Sequence, residues 1–348
     1  MRRIMKFIAG FLSVVFIIIV VLWGSFVYVS DHKTIKEDTS VSPDGAYELG
    51  LQDVGEADWP FGSASGRLIL YEGKRRISKA DVENSDENIM MEPEIACADW
   101  SEYFNGLNGT AVVYDISNSR YTMYNGDLAL TRSSPCSTFK IISSLIALEN
   151  GILEPEDSTR DWSGEIFWNE DWNKDIDFRE AFRTSCVWYY RQVIDDIGKD
   201  MMQEELDKLQ YGNCDISDWE GHLNTNNNNR ALTGFWIESS LMISPKEQVE
   251  VMERIFGDHS GYSEETQNEL KQVMLVSEQK RTDISIYGKT GMGKAEGIVV
   301  DAWFTGFAEG TEGKIYFCVH LGRTDGMNVS SSGAKEIAIQ IVSDYYGQ

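Results

Sequence analysis

The sequence predicts an α+β protein: an antiparallel sheet flanked by helices, preceded by a small β-rich module and an N-terminal membrane helix. Three observations lead there. Two apolar, strand-like segments, 110–114 and 121–124, open the main region as a hairpin. Three more, 284–287, 298–308 and 314–321, close it with glycine-bearing turns between them. The residues between these groups, to about 256, read as a helical, tryptophan-rich stretch, and residues 334–345 add a last helix. Helices enclosed between an early hairpin and a late meander belong to a segregated α+β architecture rather than to alternating βαβ units.

The elements follow in order. Residues 1–30 read as a membrane anchor or signal. Arg2, Arg3 and Lys6 precede a mostly apolar run over residues 7–29. That run is long enough to cross a hydrocarbon core of about 30 Å as one helix. It also exceeds the roughly 7–15 apolar residues of a cleaved leader. The basic flank belongs on the cytoplasmic side, so the rest of the chain is expected outside the cell membrane as a single-pass protein, or secreted if cleavage occurs near Ser30. Residues 31–98 divide into a polar tether, to about residue 41, and a β-rich module. There Ser42-Pro43-Asp44-Gly45 is a turn signal, 47–51 and 67–71 have strand character, and Glu72-Gly73-Lys74 is a turn. The module carries no catalytic grouping and reads as a spacer or interaction domain. Residues 99–348 form the larger unit. In it, Phe139, Ile142, Leu145, Ile146 and Leu148 recur at helical spacing over 137–150, with Gly151 as the stop.

Composition narrows the function. Against 56 Asp and Glu there are 31 Lys and Arg, a formal net charge of −25. Phosphate backbones are held by Lys/Arg patches, so nucleic acid is not an expected partner. The cysteines, Cys97, Cys136, Cys186, Cys214 and Cys318, form no CxxC pair, and the histidines form no HExxH. Metal-dependent hydrolysis is therefore disfavoured and no metal is expected.

Three short motifs carry candidate chemistry. The first is Ser137-Thr138-Phe139-Lys140. Residues i and i+3 share a helix face, so the hydroxyl and the amine can meet. A serine needs a base to become a nucleophile, and an apolar site favours the neutral lysine that could act as one. The second motif is Ser185-Cys186-Val187, read as part of a helix over 184–194. The third is Lys289-Thr290-Gly291, read at the end of an apolar strand before Met292-Gly293. A Lys-Thr pair on a strand edge offers a charge and a hydroxyl to a substrate carboxylate, and Gly291 allows close approach to the strand. Each motif alone has a plain structural explanation. Their combination and order are specific.

The combination resembles a class D serine β-lactamase, within the wider penicillin-binding and transpeptidase-like superfamily. The resemblance rests on Pro135-Cys136-Ser137-Thr138-Phe139-Lys140-Ile141 and the Ser-x-Val form of the second motif. It also rests on Tyr211-Gly212-Asn213, on Phe235-Trp236-Ile237-Glu238, on Ile243-Ser244-Pro245 and on Gln248-Val249. It covers roughly residues 99–346. It implies hydrolysis of the β-lactam amide of penicillin-type antibiotics through an acyl group on Ser137. Lys140 is then expected to carry a carboxyl group gained from CO2, with no other cofactor. Ser185 is implied as a proton shuttle near the leaving nitrogen, and Lys289, Thr290 and Gly291 as the substrate-carboxylate edge. The backbone N–H groups of Ser137 and Met292 are implied as the oxyanion hole, Val187 as a side chain packed beside the modified lysine, and Trp236 as the donor that steadies it. One departure from the family pattern is visible. Residues 328–334 lack the arginine that many members use to hold the substrate carboxylate, and Arg323 lies upstream. Penicillin-sensing receptors, which acylate without turnover, share this scaffold, and D,D-transpeptidases or carboxypeptidases are further relatives. Known receptors carry several membrane segments and an HExxH protease, whereas this chain has one apolar segment and no HExxH.

Overall fold

A computed structural model of the chain describes residues 34–41, 47–54, 64–73, 75–84, 93–224, 228–279, 284–311 and 313–347. The expected membrane segment at 7–29 lies outside them, and among the described residues no helix is long and apolar enough to cross a membrane. The described residues fall into two compact units, divided between Glu92 and Pro93.

The first unit is a four-stranded antiparallel meander of β1 (Thr34–Val41), β2 (Tyr47–Val54), β3 (Ala64–Glu72) and β4 (Arg75–Asn84), in that spatial order. Gly73, at φ 57°, supplies the tight turn from β3 to β4. The polar tether expected before residue 42 is in part a strand: β1 pairs with β2 from Thr34 opposite Val54 to Val41 opposite Glu48. Its charged sequence hides the strand because an edge strand needs no continuous apolar face.

The second unit is built on a seven-stranded sheet. Its strands are β5 (Glu94–Cys97), β6 (Gly109–Asp115), β7 (Arg120–Tyr124), β8 (Leu275–Gln279), β9 (Ile284–Ala295), β10 (Ile298–Gly310) and β11 (Gly313–Gly322). The spatial order is β5-β7-β6-β11-β10-β9-β8. The expected antiparallel sheet is therefore mixed, because β5 runs parallel to β7 along the edge, Glu94 opposite Arg120. The segment 94–97, expected in the β-rich module, belongs to this sheet. Its hydrogen bonds lie entirely in a distant partner strand, which local pattern cannot report.

Alternation along the strands assigns the two faces. Ala302, Phe304 and Ala308 of β10, with Ile315, Phe317 and Val319 of β11, pack on Ala334, Ile337, Ala338, Ile341 and Val342. Those last residues lie on the C-terminal helix Ser331–Tyr345. The opposite face presents Trp303, Phe307, Tyr316 and Cys318 to a larger core. That core is formed by α1 (Lys140–Glu149), α2 (Phe178–Thr184), α3 (Val187–Ile197), α4 (Lys199–Leu209), α5 (Pro245–Phe256) and α6 (Glu264–Met274), with the C-terminal helix as α7. Helix α1 is buried all round from Lys140 to Ala147, so it is the central helix of the unit rather than an amphipathic surface one.

Candidate active site

The Ser-x-x-Lys motif straddles two helix types. Cys136–Phe139 forms a 3₁₀ turn and Lys140 is the first residue of α1. The turn is held from three sides. The backbone N–H of Cys136 donates to the Trp236 carbonyl at 2.9 Å. The Gln248 amide donates to Thr138 Oγ1 at 2.9 Å, and the Trp303 indole donates to the Ser134 carbonyl at 3.0 Å. Ser133 and Ile243 form an isolated antiparallel bridge just before α5. Helix α5 itself begins with a complete capping box, Ser244 with Glu247, and Pro245 in its first turn. The Ile-Ser-Pro and Gln-Val matches thus correspond to the scaffold that positions Ser137.

Lys140 is 1% exposed, and its Nζ donates to Ser137 Oγ at 2.9 Å. Burial pushes its amine down from 10.5 to about 8, since an ammonium loses its hydration in this apolar core. The Tyr190 ring lies 5.3 Å from that nitrogen. A hydroxyl and a readily deprotonated amine in hydrogen-bond contact form a nucleophile–base pair.

Ser185 corrects one expectation. It is not inside a helix but at the break between α2 and α3, with φ 58°. The Cys186 N–H reaches back to the Ala181 carbonyl at 2.9 Å, a helix-ending arrangement normally completed by glycine. The left-handed turn leaves the Ser185 hydroxyl accepting from Lys289 Nζ. Lys289 also donates to the Thr290 carbonyl at 3.1 Å and reaches Thr290 Oγ1 at 3.5 Å. Burial lowers the Lys289 pKa well below its ordinary value, and the charges of Lys140 and Lys335 add to that. Cys136 at φ 50° and Glu238 at φ 48° are two more left-handed, non-glycine residues beside Ser137. Such strain gathers where the surroundings dictate the backbone.

The Lys-Thr-Gly motif is in mid-strand, not at a strand end. β9 continues to Ala295, and Glu296 and Gly297, both at positive φ, make the two-residue turn into β10. β8 pairs with β9 only as far as Tyr287, so the Lys-Thr-Gly edge is left to face the 3₁₀ turn. A Cβ on Gly291 would lie 3.0 Å from the Pro135 carbonyl oxygen and 3.0 Å from Thr138 Cγ2.

These elements enclose a cleft that passes over Ser137. Ser137, Val187, Met292, Trp168 and Trp172 line its whole length. Ser185, Thr290, Gly291 and Ser331 line one end, and Glu238, Asn224, Leu232 and Lys294 the other. Ser137, Ser185, Val187, Thr290, Gly291 and Met292 are therefore brought together, with Lys140 beneath Ser137 and Lys289 beneath Ser185. Trp236 is fully buried and packs against Phe139 with ring centroids 6.2 Å apart. Its indole N–H has no acceptor. Arg323, the upstream arginine, does not join the cleft: it pairs with Asp325 at 3.0 Å and lines a separate depression with Met327 and Val329. Besides Lys140, the cation placed to act on Lys289 is Lys335 of α7, one turn beyond Ser331. Sequence reasoning missed Lys335 because no motif contains it, and missed Trp168 because one tryptophan among ten carries no positional signal. Among the described residues no group of His, Cys, Asp and Glu could hold a metal ion.

Residues 109–343 match the family model described as penicillin binding protein transpeptidase domain. The chain belongs to that family. Within it, the similarity is to class D serine β-lactamases, which need no metal or organic cofactor. The probable beta-lactamase YbxI of Bacillus subtilis is 31% identical over 70% of this chain and 82% of its own length. Regulatory protein BlaR1 of Bacillus licheniformis is 29% identical over 70% of this chain, and the match spans only 38% of BlaR1. Among solved structures, the C-terminal domain of the Bacillus licheniformis BlaR penicillin-receptor aligns with a TM-score of 0.64 at 28% identity, covering 74% of this chain and 98% of that one. The class D β-lactamase FUS-1 of Fusobacterium nucleatum aligns with a TM-score of 0.60 at 32% identity, over 70% of this chain and 96% of that one. The transpeptidase-family domain of this chain is thus β-lactamase-like in fold, with both penicillin receptors and β-lactamases among its relatives.

Proposed function

We propose that the domain is a serine β-lactamase, opening the β-lactam amide of penicillin-type antibiotics through an acyl group on Ser137 that water then releases. The observation that carries the reading is the 2.9 Å contact between Ser137 Oγ and a fully buried amine with pKa about 8. A substantial fraction of that amine is neutral near pH 7–8, so Lys140 accepts the Ser137 proton as the oxygen attacks. Ser185, held by Lys289, passes a proton to the departing lactam nitrogen. The substrate carboxylate rests on the Lys289–Thr290 edge, with Lys335 and the N-terminus of α7 adding positive potential where the family arginine is missing. The backbone N–H groups of Ser137 and Met292 receive the developing oxyanion, worth roughly 3–4 kcal/mol for one such donor.

Release needs a base for water. A carboxyl group on Lys140 would supply an anionic base there, and the residues fit it: a fully buried, readily neutral amine in an apolar core, and the unpartnered indole N–H of Trp236. The apolar run at 7–29 would hold the domain outside the membrane, where β-lactams are met.

A second reading, a receptor domain that acylates and does not turn over, is favoured by the likeness to the BlaR penicillin-receptor domain. Labelling by a fluorescent penicillin and steady-state hydrolysis of a chromogenic cephalosporin, each with and without bicarbonate, decide between them. The proposal expects labelling followed by continued turnover that bicarbonate restores after CO2 is stripped. A stable adduct with no turnover would reject hydrolysis and leave the receptor.

A further inference from the structure

Arg191 occupies an unusual place for a cation. It lies on α3 one turn after Val187, is 2% exposed, and sits over two indole rings, 5.3 Å from the centroid of Trp219 and 5.4 Å from that of Trp236. Its Nη1 donates to the Trp219 carbonyl at 2.8 Å and its Nη2 to Asp195. Asp195 also accepts from Arg230 at 2.8 and 3.0 Å, and Arg230 continues to Glu220. The buried Nε of Arg191 has no partner, and neither has the Trp236 indole N–H. Trp236 is packed further by Phe139 and by the edge of Phe235, 5.2 Å away at 77°.

Arg191 is the buried end of an ion network whose other members, Asp195, Arg230 and Glu220, reach solvent, and a buried ion pair contributes little to stability compared with apolar residues of the same volume. Its effect lies in the field it sets up. A cation over an indole face fixes the plane of the ring and draws electron density from it, which sharpens the N–H as a donor. In low dielectric its charge also favours an anion held by that N–H over an ammonium.

We propose that Arg191 is a positioning residue: it holds the Trp236 N–H in place and biases the Lys140 pocket toward a bound anion, the carboxylated form of Lys140. The inference rests on the proposed carboxylation of Lys140. In that step the neutral amine's lone pair forms an N–C bond to CO2, one C=O electron pair moves to oxygen, and the nitrogen proton leaves to water. Arg191 takes no part in the bond changes; it lowers the free energy of the charge they create.

The test uses the full chain equilibrated with ¹³C-bicarbonate, with the carbamate carbon read by NMR and thermal midpoints measured alongside. Arg191→Met is expected to need about tenfold more bicarbonate for half-saturation, and Arg191→Lys to stay within about twofold of wild type. A purely structural role would lower the midpoint of Arg191→Met and leave its bicarbonate titration unchanged, which overturns the inference. If Arg191→Met does not fold, Arg191→Gln, which keeps a donor toward the Trp219 carbonyl without the charge, makes the same comparison. A wild-type protein with no carbamate signal overturns the carboxylation of Lys140 and this inference with it. A wild-type signal with an unaltered variant overturns this inference alone.

Discussion

At the scale of the residue, one amine dominates. Lys140 is fully buried and displaced from 10.5 to about 8, a cost of roughly 3 kcal/mol at neutral pH. Two outcomes follow from it. Because the neutral form accepts protons and attacks CO2, the acylation rate of protein stripped of CO2 is expected to climb about tenfold per pH unit below 7 and to level off above about 8; a rate flat from pH 6 to 9 would exclude the Lys140 amine as the base. The linkage to folding acts in a higher pH range. Below about 8 both states hold the proton and the destabilisation is complete, and between about 8 and 10 the unfolded chain binds more protons, so stability rises with pH. Lys140→Met, which removes the buried charge and keeps most of the side-chain length, is expected to raise the thermal midpoint by several degrees while nearly stopping acyl release. Ser137→Ala is expected to abolish fluorescent-penicillin labelling altogether, with the midpoint little changed. The Ser137–Lys140 contact was legible from spacing alone, since one helical turn joins the two side chains whatever surrounds them. The burial that lowers the amine's pKa was not, because it comes from Tyr190 and from side chains distant in sequence.

At the scale of the element, the decisive feature is the open edge of β9 pressed on the Ser137 turn. Gly291 permits that approach, since a Cβ there meets Pro135 and Thr138 within 3.0 Å. Gly291→Val is expected to push the edge away from the turn and to lower acylation efficiency by tenfold or more, with far-UV circular dichroism unchanged. Full activity in that variant would show that the cleft tolerates a wider gap. Sequence pattern put the motif at the end of the apolar strand 284–287, before Met292-Gly293. Pairing with β10 carries the strand on to Ala295. Ser185 shows the opposite failure: its neighbours favour helix, and only packing between α2 and α3 forces the left-handed break that aims its hydroxyl at Lys289.

At the scale of the whole molecule, the site belongs to the unit 93–348. An excised chain beginning at Pro93 is expected to fold cooperatively and to bind fluorescent penicillin at the rate of the full protein, as judged by stopped-flow labelling. A loss of labelling on excision would mean that residues before 93 complete the cleft. The boundary fell earlier than the sequence suggested because β5 is recruited to the sheet edge by β7, a contact between segments more than twenty residues apart.

By itself, the order of amino acids determined which chemical groups are present and which of them are neighbours along a helix or strand. That is why the Ser-x-x-Lys pair, the Lys-Thr-Gly edge and the α+β arrangement could be read directly. The tertiary structure alone decided the state of those groups. Burial lowers the pKa of two lysines, Lys140 and Lys289, a helix break turns Ser185, and Lys335 of α7 takes a place near Lys289 that Arg323 does not. The reason is physical: hydrogen-bond spacing is local, whereas desolvation and electrostatic potential are sums over everything the chain brings near.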